Sequence, residues 1–150
     1  MPQSLSHIAV HLVFSTKKRI PWLGEEVRPE LHAYLATVAR NLGCSCYQVG
    51  GVEDHVHMAV RLSRTLSAAG LVEKAKTAST RWLKTKDHRW HAFSWQRGYA
   101  ALSVDSKGLD NVTHYIATQE DHHRKVSFQE EYRILLRENG IEFDERYMWD

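Results

Sequence analysis

The chain has 150 residues, of which 43% are hydrophobic and 25% charged, and its formal net charge is +2. This composition argues against a disordered chain and predicts a single globular domain, over residues 1–150, with a substantial core. No apolar run reaches the ~20 residues of a membrane span, and the opening residues lack the pattern of a secretory signal. We therefore expect a cytoplasmic protein without a membrane anchor.

The predicted elements begin with a strand over residues 7–15, in which alternate positions are apolar. A helix over residues 25–41 follows, and Gly43 ends it. Residues 44–52 predict a second strand, which a bulge or tight hairpin joins to a third strand over residues 54–62. Ser67 is the expected N-cap of a second helix, which runs to about residue 86.

A fourth strand over residues 97–104 precedes a third helix, which begins at Asp110 as its N-cap and runs to about residue 122. Ser127 and Glu130 predict a capping box at the start of a fourth helix. The order of the first six elements matches the split βαβ, ferredoxin-like motif. We therefore predict an α+β fold, with an antiparallel sheet, helices on one face, and residues 110–122 as an extra helix against the histidine strand.

Charge is distributed unevenly along the chain. Residues 1–119 carry 15 basic and 9 acidic side chains, whereas residues 120–150 carry 5 and 9. Residues 74–97 include seven basic side chains and only one acidic side chain. Four aromatic residues lie among them in the sequence: Trp82, Trp90, Phe93 and Trp95. Cations that meet phosphates, mixed with rings that stack on unpaired bases, are typical of single-stranded nucleic acid binding. The alternative is that each ring belongs to the core.

Two pairs of residues predict a site. His55 and His57 share one face of the third predicted strand, because side chains alternate along a strand, and this arrangement suits two ligands of one metal ion. Tyr115 and Gln119 have the i,i+4 spacing that places both on one helix face. Two imidazoles, an amide oxygen and a phenol could then converge on one ion and one nucleophile.

Four motifs carry a resemblance to a known family, and together they cover nearly the whole chain. The motifs are His11–Lys17, Asp54-His55-Val56-His57-Met58, Trp95–Val104 and Tyr115-Ile116-x-x-Gln119-Glu120-x-His122-His123. They resemble the single-tyrosine HUH transposases of small bacterial insertion sequences, a family that includes the REP-associated tyrosine transposases. HUH denotes two histidines around a hydrophobic residue, which is Val56 here.

This resemblance implies a metal-dependent single-strand DNA endonuclease and strand transferase, which acts at hairpin-marked element ends through a 5′-phosphotyrosine. It implies that Tyr115 is the nucleophile and that His55, His57 and Gln119 are the metal ligands. Mg²⁺ or Mn²⁺ suits this chemistry, and Mn²⁺ is the better match to nitrogen ligands. The implied partners are single-stranded DNA hairpins and a second copy of the chain, because these enzymes work as homodimers in which the Tyr helix can complete the other subunit's site.

Six basic residues are candidates for DNA contacts: Lys17, Lys18, Arg19, Lys74, Arg81 and Lys84. Two other functions remain open for the chain as a whole. One is a domesticated REP-associated transposase that acts on chromosomal palindromes. The other is a non-catalytic module that binds single-stranded nucleic acid.

Other roles remain open for individual residues. Cys44 and Cys46 could join the histidine pair in a zinc site, although a spacing of one residue is unusual for zinc ligands. His122 and His123 could contact phosphate or simply form a solvated helix end. Asp54 is expected to hold the turn rather than to orient a ligand.

Overall fold

The computed structural model describes residues 2–149, in which four strands form one antiparallel sheet. The sheet has the order β2-β3-β1-β4, with β1 at Ala9–Ser15, β2 at Ser45–Val52, β3 at His55–Arg61 and β4 at Ala100–Val104. The helices are α1 (Arg28–Asn41), α2 (Ala68–Lys84), α3 (Leu109–Ala117), α4 (Gln119–His123) and α5 (Phe128–Glu138). The predicted ferredoxin-like arrangement is confirmed. None of the helices within residues 2–149 combines the length and apolar character of a membrane span.

The first face of the sheet is covered by α1 and α2. The alternation in β1 and β3 sends Leu12, Phe14 and Met58 to this side, where they join the apolar faces of both helices in one buried cluster. Burial of each such side chain stabilises the fold by roughly 1.5–3 kcal/mol. Three of the aromatic residues that were candidates for base stacking belong to this core: Trp90, Phe93 and Trp95. For these rings the core interpretation is the right one.

The second face of the sheet carries the C-terminal helices. Phe128, Tyr132 and Leu136 of α5 form a second buried cluster, in which they pack against side chains of β1 and β4. Ser127 caps this helix as predicted, since its side chain accepts a hydrogen bond from the backbone N–H of Glu130 at 3.2 Å. The second apolar cluster therefore fixes α5 over the face of β1 and β3 that bears the histidines.

A tight hairpin joins β2 to β3, which is one of the two connections that the sequence predicted. Val52 pairs with His55, so the turn consists of the two residues between them, and the irregularity in β2 lies between Cys46 and Gln48. Gly50 pairs with His57, and a Cβ added to Gly50 would collide with the backbone carbonyl of Ile116. The glycine therefore lets α3 lie directly on the sheet next to the histidine strand.

The predicted helix over residues 110–122 is interrupted in the structure. Thr118 has φ −108° and ψ 27°, so α3 ends at Ala117 and α4 begins at Gln119. The Thr118 hydroxyl donates to the carbonyl of His114 at 3.0 Å, a competing bond that favours an interruption of a helix. The prediction that Asp110 is the N-cap is wrong, because Gly108 occupies that position and its N–H donates to the Asp105 side chain at 2.6 Å.

Candidate active site

His55 and His57 project together from the second face of β3. Both side chains are fully buried, and the rings lie 5.0 Å apart between centroids. Their Nε2 atoms point towards one oxygen, Oε1 of Glu131, at 3.4 Å from His55 and 3.1 Å from His57. The alternation of the strand thus places both imidazoles on one side, as predicted.

Glu131 is a member of this cluster that the sequence did not predict. It lies on α5, is only 2% exposed, and its Oε1 is also 3.1 Å from Nε2 of His123. One potential ligand atom from each of His55, His57, His123 and Glu131 lies within 4.8 Å of all the others. Three imidazole nitrogens and a carboxylate oxygen therefore surround a single point.

Gln119 and His123 enter the cluster from α4. The side-chain oxygen of Gln119 lies 3.2 Å from Nε2 of His55 and 3.0 Å from Nε2 of His123. The Nδ1 atom of His123 is 2.7 Å from the carbonyl of Val126, which fixes the ring. His123 is therefore part of the site rather than a solvated helix end.

The Nδ1 atom of each strand imidazole, on the side of the ring away from Glu131, also has a hydrogen-bond partner. Nδ1 of His55 lies 2.7 Å from a carboxylate oxygen of Asp54, and Nδ1 of His57 lies 2.7 Å from Nε2 of His11. Such partners orient metal-binding imidazoles and raise their basicity. Asp54 therefore orients a site histidine in addition to its place in the turn, contrary to the expectation from the sequence.

Burial and the central carboxylate determine the charges in the cluster. Burial lowers the pKa of His55, but its contacts with Asp54 and Glu131 outweigh this effect and raise the pKa to about 9. Burial lowers the pKa of His57 to about 4, despite the contact with Glu131. For Glu131, burial opposes ionisation, but the three imidazoles hold its pKa well below the usual range. A buried, ionised carboxylate therefore lies among the imidazoles.

Tyr115 lies at the edge of the same cluster. Its hydroxyl donates a hydrogen bond to Oε2 of Glu131 and is 3.5 Å from Nε2 of His122. The ring meets that of His57 edge to face, with centroids 5.8 Å apart. Burial, together with the nearby Glu131 charge, raises the pKa of the phenol above its usual range. Tyr115 and Gln119 lie on two successive helices, yet both reach the paired histidines of their own chain.

The donor set fits a divalent metal ion. Imidazole nitrogen together with carboxylate or amide oxygen suits Mn²⁺ and Zn²⁺, whereas Mg²⁺ prefers oxygen ligands. The alternative zinc site is wrong, because Cys44 lies in the first core cluster and Cys46 packs against it, on the other side of the sheet from the imidazoles. Among residues 2–149, the group of potential ligands around the paired histidines includes no cysteine.

The candidate DNA-binding residues occupy two surfaces. Lys74, Arg81 and Lys84 are exposed on α2, where a groove of about 520 Å³ runs between this helix and residues 95–97. The groove is lined by Arg81 and Lys84 together with other residues, Lys76, Trp95 and Arg97 among them.

The second surface follows β1. Lys17 and Lys18 are exposed, whereas Arg19 is partly buried, with its guanidinium 5.3 Å from the ring of Trp149. The structure thus brings the catalytic candidates into one cluster and places the basic residues outside it.

Comparisons with known proteins identify the type of domain. The family model described as "Transposase IS200 like" matches residues 4–119. The ISDra2 transposase TnpA of Deinococcus radiodurans is 26% identical over 116 residues, which cover 74% of this chain and 83% of that protein.

Two solved structures share the fold. The crystal structure of a candidate transposase from Deinococcus radiodurans R1 has a TM-score of 0.61 and 24% identity, and the match covers 79% of this chain and 98% of that one. A REP-associated tyrosine transposase bound to a REP hairpin has a TM-score of 0.60 and 14% identity, with 84% and 76% covered. The range matched by the family model ends at Gln119, so Glu131 and α5 lie beyond it.

Proposed function

Because the chain belongs to the IS200-like transposase family, we propose that it cleaves and rejoins single-stranded DNA at hairpins, with Tyr115 as the nucleophile. His55, His57 and Gln119 would hold a divalent metal ion, which we expect to be Mn²⁺ in preference to Mg²⁺ given the nitrogen ligands. The observation that carries the proposal is the meeting of phenol and imidazoles: one carboxylate, that of Glu131, contacts Tyr115 as well as both strand histidines.

The proposed reaction is an exchange of phosphodiesters. The oxygen of Tyr115 forms a bond to phosphorus, the bond from phosphorus to the 3′ oxygen breaks, and that oxygen takes a proton to become a free 3′-hydroxyl. The phenolic proton passes to Nε2 of His122, which lies 3.5 Å from the hydroxyl. The metal ion, when bound, supplies Lewis-acid stabilisation of charge on the phosphoryl oxygens. Attack on the phosphotyrosine by the 3′-hydroxyl of another strand reverses the step and joins DNA without ATP.

Basic surfaces outside the site support DNA as the substrate. The exposed cations Arg81 and Lys84 of α2 line a groove that a nucleic acid backbone can follow, and Lys74 is exposed on the same helix. Lys17, Lys18 and Arg19 lie at the end of β1 and offer a second set of phosphate contacts. The fold is shared with a protein whose structure contains a REP hairpin. We therefore propose that the hairpin contacts these basic surfaces while the adjoining single strand reaches Tyr115.

A homodimer is also part of the proposal, with a specific role. Tyr115 reaches the histidine cluster of its own chain, through contacts between α3, α5 and β3. A second copy is therefore not required to complete this arrangement of the site. We propose that pairing serves to hold two DNA ends together for strand exchange.

A covalent adduct is the direct test of this function. The protein would be incubated with a labelled hairpin that carries a single-stranded flank, in the presence of Mn²⁺, and analysed on a denaturing gel. We expect a protein–DNA adduct in the wild type and in Tyr47→Phe, an exposed tyrosine used as the matched control, but none in Tyr115→Phe. Tight hairpin binding without any wild-type adduct would instead identify a non-catalytic nucleic-acid-binding module.

A further inference from the structure

The carboxylate of Glu131 joins two parts of the site. Its Oε1 atom lies 3.1 Å from Nε2 of His57, 3.1 Å from Nε2 of His123 and 3.4 Å from Nε2 of His55. Its Oε2 atom accepts the hydrogen bond of Tyr115. The two oxygens of one side chain therefore face the candidate ligands and the candidate nucleophile respectively.

The position of Glu131 is fixed by packing. Phe128, one turn earlier on α5, is buried and stacks on the ring of His55 with centroids 4.3 Å apart. Tyr132 and Leu136 continue the apolar face against the sheet. A carboxylate on such a face is unfavourable unless it is paired, because burial removes the water that solvates its charge. The pairing here is with the cluster of imidazoles, which links α5 to the chemistry of the site.

We propose that Glu131 is both a metal ligand, through Oε1, and the positioning residue for Tyr115, through Oε2. This inference rests on the proposed function and adds a carboxylate to the ligand set of His55, His57 and Gln119. An anionic ligand offsets part of the charge of a divalent cation, which neutral imidazoles and an amide do not. The same side chain holds the phenol beside the ion, so that occupancy of the metal site and placement of the nucleophile are coupled within one chain.

Metal binding in the absence of DNA tests the first half of this proposal. Mn²⁺ alone would be titrated into wild type, Glu131→Gln and Glu130→Gln, and free Mn²⁺ measured by electron paramagnetic resonance. Glu130 is the matched control, because it is adjacent on α5 but exposed. We expect affinity to fall at least tenfold in Glu131→Gln and to remain unchanged in Glu130→Gln. Equal affinity in wild type and Glu131→Gln would overturn the proposal.

A spectroscopic label on the nucleophile tests the second half. 3-Fluorotyrosine would be incorporated at position 115, and its ¹⁹F resonance followed as Zn²⁺, a diamagnetic probe, is added to saturation. We expect the resonance to shift on metal binding in the wild type and in Glu130→Gln, and to lose most of this response in Glu131→Gln. A full response in the saturated Glu131→Gln protein would show that Glu131 does not couple the phenol to the ion.

A shorter carboxylate keeps the test informative if Glu131→Gln does not fold, which thermal melting would show. Glu131→Asp retains the charge but is one methylene shorter, so it cannot span both contacts. We expect this variant to bind Mn²⁺ more tightly than Glu131→Gln or, where Glu131→Gln does not fold, within tenfold of wild type. The ¹⁹F response at position 115 should be lost. Retention of the full response would contradict the bridging role.

Failure of the inference and failure of the proposed function give different results. If wild type and Glu131→Gln form the DNA adduct equally and bind Mn²⁺ equally, the function stands and the role of Glu131 is overturned. If wild type forms no adduct, yet metal binding and the ¹⁹F response depend on Glu131, the bridge stands and the proposed reaction is wrong.

Discussion

Nδ1 of His57 lies 2.7 Å from Nε2 of His11, across the antiparallel pairing of β3 with β1. Burial, followed by the proximity of His57, lowers the pKa of His11 to about 3, so its ring is neutral at physiological pH. A neutral His11 can accept the Nδ1–H of His57, which leaves the lone pair of His57 Nε2 directed at the cluster. His11 is therefore placed to stabilise the tautomer in which His57 would bind a metal ion through Nε2.

The first prediction is that His11→Ala weakens metal binding although His11 is not itself a ligand. Loss of such an outer partner typically costs 10–100-fold in metal affinity, and we expect a fall of about tenfold or more in Mn²⁺ affinity. Calorimetric titration of the DNA-free protein measures this effect. His7→Ala, which removes an exposed imidazole near the start of the same strand, should bind as the wild type does. Unchanged affinity in His11→Ala would remove His11 from the site.

The second prediction separates chemistry from DNA binding. His57 is fully buried beneath α5, whereas the basic candidates for phosphate contacts are on the surface. We therefore expect His57→Ala to abolish adduct formation while hairpin affinity, measured by fluorescence anisotropy without metal, stays within about threefold of wild type. A parallel loss of both activities would contradict this division between the metal site and the DNA-binding surfaces.

The third prediction concerns Arg81 on the exposed face of α2. If its guanidinium neutralises a phosphate, Arg81→Ala should weaken hairpin binding to a similar extent for all sequences, because phosphates carry no sequence information. The slope of log affinity against log salt concentration should become shallower by about 1. Lys107→Ala, in an exposed loop before α3, is the control and should leave the slope unchanged. An unaltered slope in Arg81→Ala would place the DNA elsewhere.

The local pattern of the sequence was sufficient for the strands and for the paired histidines. Period-two alternation in β3 determines that His55 and His57 share a face, whatever packs against it. The Ser127 cap likewise depends on contacts a few residues apart. Such features need no knowledge of the tertiary structure.

Glu131 could not be assigned in the same way, because Gln129, Glu130 and Glu131 form a polar run that is typical of a solvated helix face. Its burial depends on the docking of α5 against β1 and β4, which is a tertiary contact. One local signal was present: Phe128 and Tyr132 are four residues apart on one face, and Glu131 adjoins that apolar stripe. The break at Thr118, which separates Tyr115 from Gln119, also escaped prediction, because the i,i+4 pattern assumes a continuous helix.

The fourth prediction tests how closely α3 must approach the sheet. In Gly50→Ala the new Cβ meets the carbonyl of Ile116, a backbone atom that cannot move without displacing α3. We expect a loss of about 1–3 kcal/mol in the free energy of unfolding, measured by urea denaturation, together with slower adduct formation because α3 carries Tyr115. Gly98→Ala is the control, since a Cβ there has no atom within 4 Å, and its stability should be unchanged or slightly higher. Equal stability of the two variants would contradict the close packing.

The fifth prediction concerns acid stability and His32 on α1. Within residues 2–149 its Nε2 has no hydrogen-bond partner, and burial, followed by the nearby Arg28, lowers the pKa from 6.5 to about 4. Between these values the unfolded chain binds a proton that the folded chain does not, so the free energy of unfolding decreases as pH falls from about 6.5 to about 4. His32→Gln should remove this contribution, on the order of 2 kcal/mol, from the loss measured by urea denaturation between pH 7 and pH 4.5. His11 and His57 remain in the variant, so the difference isolates His32. His114→Gln, at an exposed position on α3, is the control and should lose as much free energy of unfolding between pH 7 and pH 4.5 as the wild type does. An equal loss in His32→Gln would show that His32 does not resist protonation in the fold.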